Sequence, residues 1–155
     1  MANQDDSRSG DAYKVKDLGQ GGGSSAFGKY RALCYGDVPF WKIMRAELFT
    51  LLLGYLPGAL GLGLRGVFYP CLFGACGRKV VFGRDLTLRH AHKIRLGDGV
   101  IVDDHAVLDA KGEGNTGITV GDGVYIGRNT IVYCKGGDIV IGDRANLSSN
   151  CQVFS

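Results

Sequence analysis

Three histidines, His90, His92 and His105, are the residues of this chain best suited to moving a proton near neutral pH. Three imidazoles can also hold zinc, provided that they converge and leave one position open for water. His90 and His92 are almost adjacent, while His105 is separated from both, so no metal site is expected. The five cysteines, Cys34, Cys71, Cys76, Cys134 and Cys151, are odd in number and match no zinc spacing. They read as reduced thiols of a cytosolic protein. Two short polar runs, Lys111-Gly-Glu-Gly-Asn115 and Lys135-Gly-Gly-Asp138, offer cationic and amide groups to a ligand. Gly23–Lys29 has the spacing of a phosphate-binding loop, but Tyr30 stands where Ser or Thr should hold magnesium and no strand precedes it. A linker is the better reading of that stretch.

The elements that must position these groups are visible as a repeat. Apolar residues recur at Phe82, Leu88, Leu96, Val102, Leu108, Val120, Ile126, Val132, Ile141, Leu147 and Val153, and seven of the ten steps are six residues long. A longer period lies on top: Ile94-Arg-Leu-Gly-Asp-Gly99 returns as Ile118-Thr-Val-Gly-Asp-Gly123 and as Ile139-Val-Ile-Gly-Asp-Arg144, at offsets of 24 and 21. A six-residue step fits no helix face. It fits a short strand followed by a tight corner, with three such steps closing one coil of a β-solenoid. Stacked coils place Leu96 on Val120 on Ile141, Val102 on Ile126 on Leu147, and Leu108 on Val132 on Val153. The two polar runs then interrupt the same edge of consecutive coils, immediately after Ala110 and Cys134, and emerge one above the other.

Counting eleven residues on from Ile94, Ile118 and Ile139 reaches His105, Asn129 and Asn150. Asn, Asp and His are the non-glycine residues most tolerant of positive φ. His105 is therefore expected at a corner, which leaves it only a weak candidate for catalysis. His90 and His92, at the start of the repeat, are expected to cap or pack.

Ahead of the repeat the composition changes twice. Residues 1–37 are polar and Gly/Ser-rich, and are expected to form a disordered tail. Residues 38–77 are apolar and helical, with Trp41, Met44, Leu48, Leu51, Leu52 and Tyr55 on one face. Leu48–Leu64 carries no charge for 17 residues, yet a helix of that length spans roughly 25 Å, short of a ~30 Å hydrocarbon core. Pro57 interrupts it as well. Two arrangements stay open: helices packed over the open end of the solenoid, or a helical hairpin making peripheral membrane contact through residues 41–74. A net charge of +3 and the lack of a basic stripe with interleaved aromatics argue against a nucleic-acid partner.

The hexads of residues 80–155, aliphatic then Gly with a small residue four places on, resemble those of bacterial hexapeptide-repeat acyltransferases. Phe82-Gly-Arg-Asp-Leu-Thr-Leu-Arg-His-Ala-His-Lys-Ile94, with Tyr69-Pro-Cys-Leu-Phe73 before it, looks like the members that O-acetylate exopolysaccharide or capsule. The resemblance implies a mainly β fold, a left-handed parallel β-helix assembled as a homotrimer. It implies acyl-CoA, with acetyl-CoA foremost, as co-substrate and a sugar or polysaccharide hydroxyl as acceptor. The location it implies is cytoplasmic, on the inner face of the cytoplasmic membrane. A histidine would act as general base. On this reading Lys111, Asn115, Lys135 and Asp138 are the candidate ligand-binding edge. The repeat stops at Ser155 inside its third full coil, so a truncated chain with little activity of its own is expected. A non-catalytic scaffold or binding module is the alternative.

Overall fold

The computed structural model describes residues 25–112 and 114–155. Three helices, α1 (Ala26–Cys34), α2 (Phe40–Leu53) and α3 (Gly58–Phe68), precede a 3-10 turn at Tyr69–Leu72. Twelve short strands follow: β1 (Ala75–Cys76), β2 (Val81–Phe82), β3 (Thr87–Arg89), β4 (Ile94–Leu96), β5 (Ile101–Val102), β6 (Val107–Asp109), β7 (Ile118–Val120), β8 (Tyr125–Ile126), β9 (Ile131–Tyr133), β10 (Ile139–Ile141), β11 (Asn146–Leu147) and β12 (Gln152–Phe154).

These strands form three parallel four-stranded sheets, β1-β4-β7-β10, β2-β5-β8-β11 and β3-β6-β9-β12. Consecutive strands always lie in different sheets, so the chain winds as a β-solenoid of four coils. Register follows the repeat: Leu96 pairs with Val120 and Val120 with Ile141, Val102 with Ile126 and Ile126 with Leu147, Leu108 with Val132 and Val132 with Val153. These side chains, together with Val100, Ala106, Val124 and Thr130 at the small positions, fill the core, with Leu147 and Val153 of the last coil only partly buried against it.

The solenoid starts one strand before residue 80. Cys76 pairs with Leu96, so that β1 completes a first coil with β2 and β3. Its strand is only Ala-Cys, too weak in apolar character to register as a hexad, yet Gly77 and Lys79 occupy the places of Gly97 and Gly99. Lys79, Gly99, Gly123 and Arg144 all turn this corner with φ between 58° and 66°. The earlier glycine serves a different end. A Cβ on Gly121 would lie 2.3 Å from Oδ1 of Asp143 and 2.7 Å from its amide nitrogen, because successive coils touch there. The aspartate that follows completes the corner: Asp98 N–H donates to Asp122 Oδ1 at 2.7 Å, and Asp122 N–H to Asp143 Oδ1 at 2.9 Å.

The helices show three features that the repeat does not announce, the first of which departs from expectation. Within the stretch read as a tail, residues 26–34 are helical; Ser25 caps that helix by accepting the Gly28 N–H. The part of the tail before Ser25 lies outside the described residues. The stripe from Trp41 to Tyr55 is real but faces outward, each of its six members being at least half exposed. The other side of α2 packs inward through buried Ile43, with Phe49 and Leu53 against the core. Finally, Arg65 is buried beneath α3, donating to the carbonyls of Phe82, Leu53 and Leu56 at 2.9–3.0 Å. It ties α3 to β2, over the first coil. Among the described residues no helix is long and apolar enough to cross a membrane.

Candidate functional site: a basic cleft on the insertion edge

β3 ends at Arg89, and His90, with a left-handed backbone (φ 52°), turns the chain into the 3-10 turn Ala91–Lys93 and then into β4. The same edge carries the two polar runs one and two coils further on. Loop residues 110–117 join β6 to β7, and 134–138 join β9 to β10. The α1–α2 connection lies opposite. Between them is a cleft of about 790 Å³ lined by Arg31, Asp37, His90, His92, Lys93, Lys111 and Lys135, among others.

The cleft is cationic: Arg31, Lys93, Lys111 and Lys135 line it against one carboxylate, Asp37, which is held by Arg31 at 2.9 Å. Converging cations in a concave wall attract anionic ligands. Asp109 lies buried behind the lining; its Oδ1 accepts the Lys111 N–H at 3.0 Å. His90 is buried as well. Its Nδ1 stands 3.5 Å from Asp109 Oδ1, within ion-pair reach for a protonated ring, but makes no hydrogen bond. Gly36 packs on this ring so tightly that a Cβ would sit 3.2 Å from Cδ2. His90 is thus a wall, while His92, with its ring 6.2 Å away, is exposed. Although its surface is open, the cleft walls partly desolvate the ring; this, then the charges of His90, Lys93 and Lys42, lowers the His92 pKa from the ordinary value of about 6.5. A neutral imidazole in a cleft is competent to accept a proton.

Of the four loop residues expected to bind ligand, the structure brings two to the cleft, Lys111 and Lys135. The other two hold the loops together. Asn115 accepts a hydrogen bond from Lys93 Nζ and donates to Gly137 O at 3.0 Å. Asp138 Oδ1 receives the amides of Thr116 and Gly117 at 2.6 and 2.9 Å. Gly117 (φ 106°) allows the upper loop to cross Lys93, whose carbonyl would be 2.2 Å from a Cβ. His105 lies on a different edge, between β5 and β6, with φ 61° beside Asn129 at 56° and Asn150 at 60°. The corner reading of His105 therefore holds, and the structure does not bring it to the lysines.

His92 also lines a second cleft of about 380 Å³, formed with Tyr35, Lys42, Arg45, Thr50 and Leu72 among others. The repeat pointed His92 to capping or packing rather than to a cleft, because the α1–α2 connection that completes both clefts carries no repeat signal. Its one available sign was its place on the insertion edge, one coil below Lys111. Among the described residues no group of three or more His, Cys, Asp or Glu side chains is arranged to hold a metal ion. Comparisons with protein-family models, curated proteins and solved structures find no match. The class that the fold itself defines is a parallel β-solenoid with a helical cap.

Proposed function

We propose that this protein is an acyltransferase, most simply one that transfers acetyl from acetyl-CoA to a sugar hydroxyl of a surface polysaccharide. The observation that carries the reading is His92, biased toward its neutral form in a cleft lined by four cations and one carboxylate. The hexad resemblance supports it independently, and brings with it the left-handed winding, the homotrimer and the cytoplasmic location. In this mechanism His92 takes the proton of the acceptor hydroxyl as its oxygen attacks the thioester carbonyl. Collapse of the tetrahedral intermediate breaks the C–S bond, and the departing sulfur receives the proton. Lys111, Lys135 and Arg31 bind the phosphates of the acyl donor. His105, the weak candidate base, lies away from the lysines; His92 is the candidate among them.

One observation favours the non-catalytic alternative. Asn115 and Asp138 are spent on stapling the loops, as a scaffold would require. A coenzyme A release assay with a panel of sugar acceptors separates the two readings. His92→Asn should lower kcat/KM by ~10²–10⁴-fold, while His105→Asn leaves it unchanged. The acid limb of the pH profile should fall below about 6.5, because the base must be deprotonated. Absence of both turnover and acetyl-CoA binding in the folded protein leaves the scaffold reading standing.

A further inference from the structure

Among the described residues, the outward face of α2 has no partner. Trp41, Met44, Leu48, Leu51 and Leu52 occupy it, and Tyr55 follows just past its end; Leu51 is 78% and Tyr55 71% exposed. At 3.6 residues per turn the side chains on the helix cover about 100° of arc. Scattered apolar residues are normal on a protein surface, but a continuous apolar stripe along a helix marks an interaction site. The stripe extends toward α1, where Phe27 meets Phe40 edge-on at 6.1 Å.

Charge identifies the partner. Lys42 and Arg45 border the stripe on one side, their cationic groups 5.8 and 5.1 Å from the centre of the Trp41 ring. Between Phe40 and Phe68 the only acidic residue is Glu47, and it is turned away to accept the hydroxyls of Tyr30 and Tyr35. Apolar side chains with an aromatic–basic border are the arrangement of a helix lying in a bilayer interface. A two-fold dimer through the same face would bring Lys42 and Arg45 near their own copies with no carboxylate on the face to offset them. Arg45 adds a second sign. Its Nη2 donates to Cys71 O at 2.7 Å, but its Nε is buried without a hydrogen-bond partner, and the residue lines the smaller cleft. An anionic oxygen entering that cleft would satisfy it.

We propose that the α2 face seats the protein on an anionic lipid bilayer, with Trp41 and the leucines among the acyl chains and Lys42 and Arg45 at the lipid phosphates. Arg65, although basic and nearby in sequence, takes no part, being buried under α3. The proposal is independent of the acyltransferase reading, since none of its readouts involves acyl transfer.

The test uses the full chain and vesicles of phosphatidylcholine, alone or with one-third phosphatidylglycerol. Trp41 is the only tryptophan, so its fluorescence reports the face directly. The expected result is a blue shift and co-sedimentation with the anionic vesicles, much weaker with phosphatidylcholine alone. Raising salt from about 0.15 M to about 1 M, which shortens the Debye length from ~8 to ~3 Å, should release a large part of the bound protein. The double variant Leu48→Gln/Leu51→Gln, at exposed positions, should keep the melting temperature and reduce partitioning at least ~10-fold. Lys42→Gln should reduce it about fivefold, as expected for one basic residue near an anionic surface. Unchanged Trp41 emission with anionic vesicles overturns the proposal. So does binding that the double variant leaves intact, or a lipid-independent oligomer that the double variant dissociates.

Discussion

The imidazole Nδ1 of His105 stands 2.9 Å from Oδ2 of Asp85, and the two residues hold the same corner of successive coils. Both have positive φ, 61° and 53°. Stacking of equivalent corners is what brings their side chains together, and the next two members, Asn129 and Asn150, meet in the same way through Nδ2 and Oδ1 at 3.4 Å. The His–Asp geometry that elsewhere orients a catalytic base is here a product of the coil repeat.

His105→Asn should accordingly preserve the fold, since asparagine serves that corner in the next two coils. His105→Val should lower stability by about 1–3 kcal/mol, because a β-branched residue is strained at positive φ. Thermal melts of the two variants against the parent check this; equal stabilities would refute the corner role.

Ile126 lies between Val102 and Leu147 and is fully buried. Ile126→Asp should place an unpaired carboxylate in the ladder and unfold the solenoid, a loss of at least ~4 kcal/mol. Far-ultraviolet circular dichroism should show the cooperative transition lost or shifted far downward.

Arg65→Met keeps much of the side-chain volume but removes the donors to Phe82, Leu53 and Leu56 carbonyls. The buried Phe82 carbonyl left unpaired costs about 1–3 kcal/mol, while Leu53 O keeps the Leu56 N–H. The helices should loosen from the first coil before the rest of the solenoid melts. Hydrogen exchange should show protection falling in α3 and β2 while β8 and β9 stay protected.

Two corner carboxylates give the fold an acid limit. The backbone N–H and then the guanidinium of Arg78 hold Asp98 below the ordinary carboxylate range; the hydrogen bonds from Thr116 and Gly117 do the same for Asp138. A pKa depressed by folding means that the native state binds fewer protons than the unfolded chain. Stability from these groups is therefore present above the unfolded value of about 3.9, and is lost as pH falls through the depressed native values. Asp98→Asn should melt lower than the parent at neutral pH, and the gap should close in acid. A gap that does not change with pH would contradict this origin.

Much of the solenoid could be read from the chain because each strand's partner lies one repeat away. An offset of 24 or 21 residues between Ile94, Ile118 and Ile139 states the register directly, and the inward positions follow from it. The corner role of His105 was legible for the same reason, through Asn129 and Asn150. The stripe from Trp41 to Tyr55 was legible too, as an amphipathic helix. Which side of that helix meets the solenoid was decided only by tertiary packing: Ile43, Phe49 and Leu53 are fewer and smaller in total, but they fit the surface that the first coil offers. The first strand of that coil was hidden, although Phe82 and Leu88 of the next two were not, since β1 is carried by Ala75 and Cys76 and held by backbone pairing with β4. The cleft was decided in the same way. Periodicity places Lys111 and Lys135 on one edge, whereas the approach of α1 and Gly36 to that edge, which encloses His90 and His92 with the lysines, rests on contacts between non-repeating segments. A repeat states its own geometry many times over; a helical cap states its position once, through shape and a few buried hydrogen bonds such as those of Arg65.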